Sequence, residues 1–380
     1  MTELDDMLSS SLRRVASTYA PAHSGRARAE LLRRRGRRRL LIVVASTTVA
    51  CLVATCAFVL VHRDTARDLP IQVIQSAPQG EIVVLDTIDL DVVPGDVEVW
   101  DDAVISSDNE GRGFALFDPD SGEARGLSVE PPVLLMPSRF DIGTEALFGA
   151  NRVQGRVERF EFENGPNLRL VDSEALGAEP FDVAYGEGYV WVVSPRPEGP
   201  ADKYVVTTFD AGTLEKVSSF GVPSIAHLEF GYGWLWVGTN EGLWRVDPET
   251  DERKIVEGID FATDVSAGAG AVWAFGVDMP GRQAHVVRID PEAARVAGRT
   301  AVGGFFGQVE ADAEFGVWVL SDSTETVRTL TRVDPVSGRV IGEDVLLEGG
   351  VMEMTAGLGS LWVVDDSQQT LSRIGVDTER

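Results

Sequence analysis

The chain has 380 residues, 34 basic and 60 acidic, for a formal net charge of −26, and 44 % of it is hydrophobic. That apolar share excludes a disordered polyampholyte and supplies a sizeable core. The charge is unevenly divided: residues 1–39 hold ten Arg and four acids (+6), residues 40–61 hold none, and residues 62–380 hold 24 basic and 56 acidic side chains (−32). A body so acidic, with no basic patch, excludes nucleic acid as a partner.

In the N-terminal tail, residues 1–39, Leu4, Leu8, Leu12, Val15 and Tyr19 recur at helical spacing. Asp5 and Asp6 come early and Arg13 and Arg14 late, as a helix dipole favours. Two readings of residues 3–19 stay open: a frayed helix drawn to anionic lipid, or a docking helix for a cytoplasmic partner.

Residues 40–61, LLIVVASTTVACLVATCAFVLV, are 22 uncharged positions. At about 1.5 Å per residue a helix of that length spans roughly 33 Å, the thickness of a hydrocarbon core. Arg33–Arg39 (RRRGRRR) precede it, while Asp64 and Asp68 follow with only Arg63 and Arg67. The positive-inside rule then puts the N-terminus in the cytoplasm and residues 62–380 outside the cell membrane. The exit Phe58-Val59-Leu60-Val61 is not a small-residue cleavage site; Val49-Ala50-Cys51 half fits a lipoprotein signal, and Arg37–Leu41 faintly follows a twin-arginine motif. The expectation is an uncleaved single-pass anchor. Cys51 and Cys56, the two cysteines of the chain, lie in this span on different helical faces, so the exterior part has no disulfide. Arg outnumbers Lys 31 to 3, the bias of a GC-rich bacterial gene.

After a linker, residues 62–79, the segment 81–90 (EIVVLDTIDL) has a strand pattern with no blade before it. The rest repeats. YGEGYVWVVS, FGYGWLWVGT, AGAGAVWAFG, DAEFGVWVLS and AGLGSLWVVD each set a turn before a strand with a central Trp, and WDDAVISS and GTEALFGA are weaker copies. The anchors Ile105, Phe148, Trp191, Trp236, Trp273, Trp318 and Trp362 are spaced by 43, 43, 45, 37, 45 and 44 residues. Seven units of this length carry four strands each. A second marker follows most anchors: an apolar strand closing in Asp118, Asp210, Asp247, Asp290, Asp334 or Asp377, with FENG around Asn164 in the second unit. Asp-Pro is type I turn chemistry, so Asp118, Asp120 and Gly122 read as a turn and not as a calcium loop. The last unit lacks a fourth strand, which residues 81–90 would supply beside Leu371–Val376, removing the open edge.

The predicted fold class is therefore all-β, a seven-bladed β-propeller with four-stranded blades over residues 80–380, preceded by a single transmembrane α-helix. The run G-x-G-x-V-W-V followed by V-D-P-x-x-G resembles the YVTN or YncE-like propellers and the wider streptogramin-lyase-like group, over about 300 residues. The resemblance implies the architecture; lyases, lactonase relatives and pure binding modules all belong to that group.

In a propeller the first strand of each blade lines the central channel. Nine residues before each anchor stand Asp96, Arg139, Asp182, His227, Asp264 and Glu353, each followed by an apolar residue. In the sixth unit Val309 occupies that place and Glu310 follows, so a one-residue insertion would put Gln308 in the ring and Val309 in the core. Two readings of this ring stay open: polar residues facing channel water, or a seat for a polar ligand or cation. Asp96, Asp182, Asp264 and Glu353 suit a hard ion such as Ca2+ or Mg2+, with Arg139 opposing the ion or neutralising an acid. Likeness to the streptogramin lyases would need a Glu-x-His pair; the exterior has His227 and His285 and no such pair, and no catalytic residue is assigned. Tyr232, Trp234, Trp236 and Trp244 read as packing and not as a sugar platform, with Trp244 starting a third strand, and the rim loops 194–203 and 278–283 as places for partners. The leading expectation is a non-enzymatic binding or sensing module for an extracytoplasmic small molecule or protein; the alternative is a metal-assisted lyase or hydrolase at the channel.

Overall fold

The computed structural model describes residues 80–377, apart from 109–112, 120, 131–136, 138, 144, 164–166, 197–202, 225–226, 279–282 and 325–326. The expected tail with residues 3–19, the anchor with Cys51 and Cys56, the linker, Asp120, Asn164 and most of the two rim loops lie outside the described residues. Among the described residues no helix is long and apolar enough to cross a membrane.

Among the described residues, twenty-eight strands build seven four-stranded antiparallel blades. The inner strands are Pro94–Trp100, Arg139–Ile142, Asp182–Gly186, His227–Gly231, Ala262–Gly268, Gly307–Asp312 and Val351–Gly357, for blades one to seven. Each is followed outward by a second, third and outer strand. In blade seven the outer strand is the propeller's first, Glu81–Asp89, which pairs antiparallel with Thr370–Asp377 from Glu81↔Asp377 to Asp89↔Thr370. Blades one and two are further joined: their outer strands pair in parallel, Ser128↔Asn167 to Glu130↔Arg169, giving one eight-stranded sheet.

The anchors sit where a propeller needs bulk. Ile105, Phe148 and the five Trp are all at most 2 % exposed. Each lies in a second strand and faces the neighbouring blade, so that every junction has its own apolar core. Trp191 packs with Leu228 and Leu235 of blade four and stacks on Phe230, and Trp236 packs with Val265 and Val272 of blade five. On the third strand an Arg stands opposite several anchors in register, as in Trp273↔Arg288, Trp318↔Arg332 and Trp362↔Arg373, its guanidinium 5.2–6.0 Å from the indole. This cation–π layer shields the outer face of these three Trp.

The Gly-rich turns serve two separate needs. Glu187-Gly188, Tyr232-Gly233, Ala269-Gly270 and Leu358-Gly359 all have positive φ at both positions, the two-residue hairpin that matches strand twist. The glycine just before each pair has ordinary φ and is there for space: a Cβ on Gly268 would stand 1.7 Å from the Ala311 carbonyl oxygen of the next blade. Five of the Asp markers, Asp118, Asp210, Asp247, Asp290 and Asp334, are turn residues, whereas Asp377 ends the last described strand opposite Glu81. Asp247 Oδ1 accepts the Glu249 and Thr250 amides, Asp290 Oδ1 those of Glu292 and Ala293, and Asp118 Oδ1 that of Ser121. One expected placement needs correction: Trp244, read as the start of a third strand, lies in the middle of Gly242–Val246, because that strand begins directly after a two-residue turn at Asn240-Glu241.

Candidate functional site

The inner strands are the free inner edges of their sheets, so alternate residues point to the axis and the rest into the inter-blade cores. All seven ring residues expected from the sequence, Asp96, Arg139, Asp182, His227, Asp264, Gln308 and Glu353, line one central cavity of about 390 Å³. The residues after them, Val97, Phe140, Val183, Leu228, Val265, Val309 and Met354, are buried. The sixth blade has the inferred register: Glu310 pairs with Trp318, and the extra residue is in a three-residue turn, Ala313–Phe315, closed by Asp312 Oδ1 accepting the Glu314 and Phe315 amides.

Beneath this mouth layer lies a second layer that sequence reasoning missed. Its members are the residues paired directly with the anchors: Glu98↔Ile105, Asp141↔Phe148, Ala184↔Trp191, Glu229↔Trp236, Ser266↔Trp273, Glu310↔Trp318 and Thr355↔Trp362. The signal was present. Each follows its ring residue by two, and a period of two returns a side chain to the same face. The cavity thus holds eight carboxyl groups, four per layer, while its Arg and its His are both in the mouth layer.

These acids work as braces between blades. At the junction of blades one and two Asp96 Oδ2 accepts the Phe140 amide at 2.9 Å, and at two and three Asp141 Oδ2 accepts that of Tyr185 at 2.6 Å. At three and four Asp182 Oδ2 accepts the Leu228 amide at 2.9 Å, and at four and five Glu229 Oε1 accepts that of Ala267 at 3.0 Å. At five and six Asp264 Oδ2 accepts the Val309 amide at 2.8 Å, joined by Ser266 Oγ and the Ala311 amide at 3.1 Å. At six and seven the Gln308 amide donates to Glu353 at 2.5 Å, and at seven and one the Thr355 hydroxyl donates to Glu98 at 3.5 Å. Every junction is bridged: at five the donor is an inner-edge backbone N–H, which has no strand partner and for which a carboxylate is a strong acceptor, and at the other two it is the side chain of Gln308 or Thr355. Glu310 bridges no junction among the described residues and is the acid left over.

The cations organise the mouth. Arg139 pairs with Glu353 of blade seven and with Asp96 at 3.4 Å. His227 Nδ1 lies 3.3 Å from Asp264 and 3.8 Å from Asp182. Burial pushes the carboxyls up: Asp141 to about 7, chiefly by desolvation against two amide bonds, and Asp182 and Asp264 to about 6. Glu98, Glu229 and Glu310 stand well above the usual carboxylate range, from burial and then from one another's charge and that of Asp96, Asp141 and Asp264. Arg139 stays charged, since Glu353 and Asp96 outweigh its own burial.

The expected metal set is occupied by protein groups. Asp96, Asp182 and Asp264 each give an oxygen to a neighbouring amide and Glu353 is shared by Arg139 and Gln308. Among the described residues no cluster of His, Cys, Asp or Glu has the geometry to hold a metal ion. His285 is in the third strand of blade five, outside the cavity lining, with Nδ1 3.5 Å from Asp278. The aromatic group of blade four is engaged in packing: Trp236 Nε1 donates to the Gly231 carbonyl, Arg245 covers Trp234 at 3.8 Å, and Tyr232 and Trp234 lie against the blade-five core.

The mouth rim carries one exposed aromatic group among the described residues. In the loop entering the blade-six inner strand, Phe306 is 55 % exposed, edge-on to Phe305 at 4.8 Å, and Phe305 stacks on Phe261 of the preceding loop. Asp322 Oδ1 accepts the Phe305 and Phe306 amides at 2.6 and 2.8 Å, which fixes the loop.

Solved structures share this fold. A chain of the Mitotic Checkpoint Complex matches with a TM-score of 0.61 at 12 % identity, over 80 % of this chain and 98 % of that one. U3-55K matches at 0.58 and 10 % identity, over 79 % and 100 %, and the WD40 β-propeller domain of Doa1 at 0.57 and 11 %, over 78 % and 97 %. The chain is a seven-bladed β-propeller with WD40-type structural neighbours. At these identities the likeness is one of fold. No protein-family model matches the sequence, and none of the curated proteins does.

Proposed function

We propose that this propeller is a non-enzymatic protein-binding module of the YVTN or YncE-like kind, held outside the cell membrane by residues 40–61. The observation that carries the binding reading is Phe306: a large apolar side chain, mostly exposed, on a loop pinned by Asp322 at the channel mouth. Exposed aromatics held rigid in advance are what an interface anchor requires, since little side-chain entropy is left to lose. The channel acids are engaged in bracing blades, which supports a scaffold role. The likeness in fold to the WD40 propeller of Doa1 and to a chain of the Mitotic Checkpoint Complex agrees with a protein partner. The charge step from +6 to −32 across an uncharged span of 22 residues supports the topology.

The mouth ring remains the seat we propose for a polar group of the ligand, with Arg139 and His227 the more exposed members at 31 % and 38 % of their side chains. The enzymatic alternative rests on His227 beside Asp264, an imidazole at a cavity mouth with an acid to orient it.

The test is site-specific photo-crosslinking in intact cells from position 306 and, as the control, from Val336, 51 % exposed in a turn on the opposite rim. The expected result is a discrete adduct from 306 that is absent from 336. Equal labelling from both positions would refute the rim reading. External protease removing residues 80–380 from intact cells is expected from the topology; their protection would refute it.

A further inference from the structure

The cavity confines eight carboxyl groups with one Arg and one His, and the deep layer has no cation of its own. Glu310, on the blade-six inner strand, is faced by Glu229 and His227 from blade four, Asp264 from blade five and Glu353 from blade seven. Across the axis stand Asp96 and Glu98 of blade one, Arg139 and Asp141 of blade two, and Asp182 and Tyr185 of blade three. Seven of these acids sit on the seven junctions, one each, so repulsion among them acts on the braces that keep the inner strands together.

We propose that the channel is a proton-operated tensioner: protonation of the channel acids of both layers tightens the ring of blades, and their ionisation, with Glu310 as the surplus charge, loosens it. The inference is independent of any partner and of the membrane topology. A protonated carboxyl still accepts an amide bond through its carbonyl oxygen, so the braces survive neutralisation while the repulsion goes. Burial places the folded-state midpoints of Asp141, Asp182 and Asp264 at about 7, 6 and 6, against 3.8 for an ordinary Asp. The folded state therefore binds more protons than the unfolded one, and the stability from these groups is complete below about pH 4 and is lost as pH rises through 6 to 7.

The experiment follows thermal unfolding of the full chain in detergent from pH 4.5 to 8. The expected melting point falls by about 5 °C or more between pH 5 and 7.5. Glu310→Gln is expected to restore much of that loss at pH 7.5 and to change nothing at pH 4.5. Exposed Glu249→Gln, with one charge removed outside the channel, is expected to follow the parent at both. About 0.5 M NaCl screens the outer surface and is expected to leave the profile in place. Calorimetry at pH 6 in buffers of different ionisation enthalpy gives a second readout that needs no variant: unfolding should release protons. A melting point flat or rising over this range, equal behaviour of the two variants, a profile abolished by salt, or net proton uptake on unfolding would each overturn the proposal.

Discussion

Two glycines in the same repeated turn make opposite demands, and ordinary intuition ranks them wrongly. Gly188 has φ +82° and no atom within 4 Å of where a Cβ would sit. Gly268 has ordinary φ, but its Cβ would meet the Ala311 carbonyl oxygen at 1.7 Å, half of the 3.4 Å at which ordinary contact begins. Gly188→Ala therefore costs the left-handed backbone alone, about 1 kcal/mol. Gly268→Ala must push the inner strands of blades five and six apart and disturb the Trp273 indole bond to the Gly268 carbonyl, for about 3 kcal/mol or more. With about 2.1 cal/mol/K of unfolding entropy per residue, a domain of about 300 residues loses about 1.5 °C per kcal/mol. The expected falls in melting point are then about 2 °C for Gly188→Ala and about 5 °C or more for Gly268→Ala. Denaturant midpoints should move in the same order with unchanged m-values. If Gly188→Ala proved the more damaging, the packing account of Gly268 would be wrong.

Two further outcomes are expected. Replacing Asp322 with Ala should speed hydrogen exchange at the Phe305 and Phe306 amides and lower global stability by about 1 kcal/mol, and unchanged exchange there would show that the rim loop is fixed by something else. Carboxyl carbon NMR of the folded chain should show Asp141 titrating near 7 and Asp182 and Asp264 near 6, whereas midpoints close to 4 would mean that channel water solvates these groups.

The architecture was legible because each repeat marks its geometry with distinctive residues. Trp, or Ile105 and Phe148 in the first two blades, stands where blades meet, glycine where a turn or a neighbour leaves no room, and Asp where a turn has free amides. The mouth ring was legible by counting back from the anchors, and the apolar residue after each member fixed the face. The deep layer obeyed the same period and was passed over because its members sit opposite the Trp and do not stand out beside it. What the acids do was not legible. Asp96 meets Phe140, Asp182 meets Leu228 and Asp264 meets Val309 at separations of 44 to 46 residues, and such partners become neighbours only through the repeat's rotation. The same holds for the parallel pairing of the first two outer strands, since nothing local marks Ser128–Glu130 as a partner for Asn167–Arg169.

The pairing of Glu81 with Asp377 has a consequence for how the molecule is made. Bringing together segments separated by roughly 300 residues costs about 5 kcal/mol of loop entropy by the logarithmic rule, and nothing offsets it until the strand Thr370–Asp377 exists. A nascent chain halted at any blade leaves its first strand and its last sheet without partners, two sticky edges on one molecule. Completion is thus checked by geometry: the propeller's first strand is kept waiting for its last, and a chain cut short of the seventh blade has no ring to join.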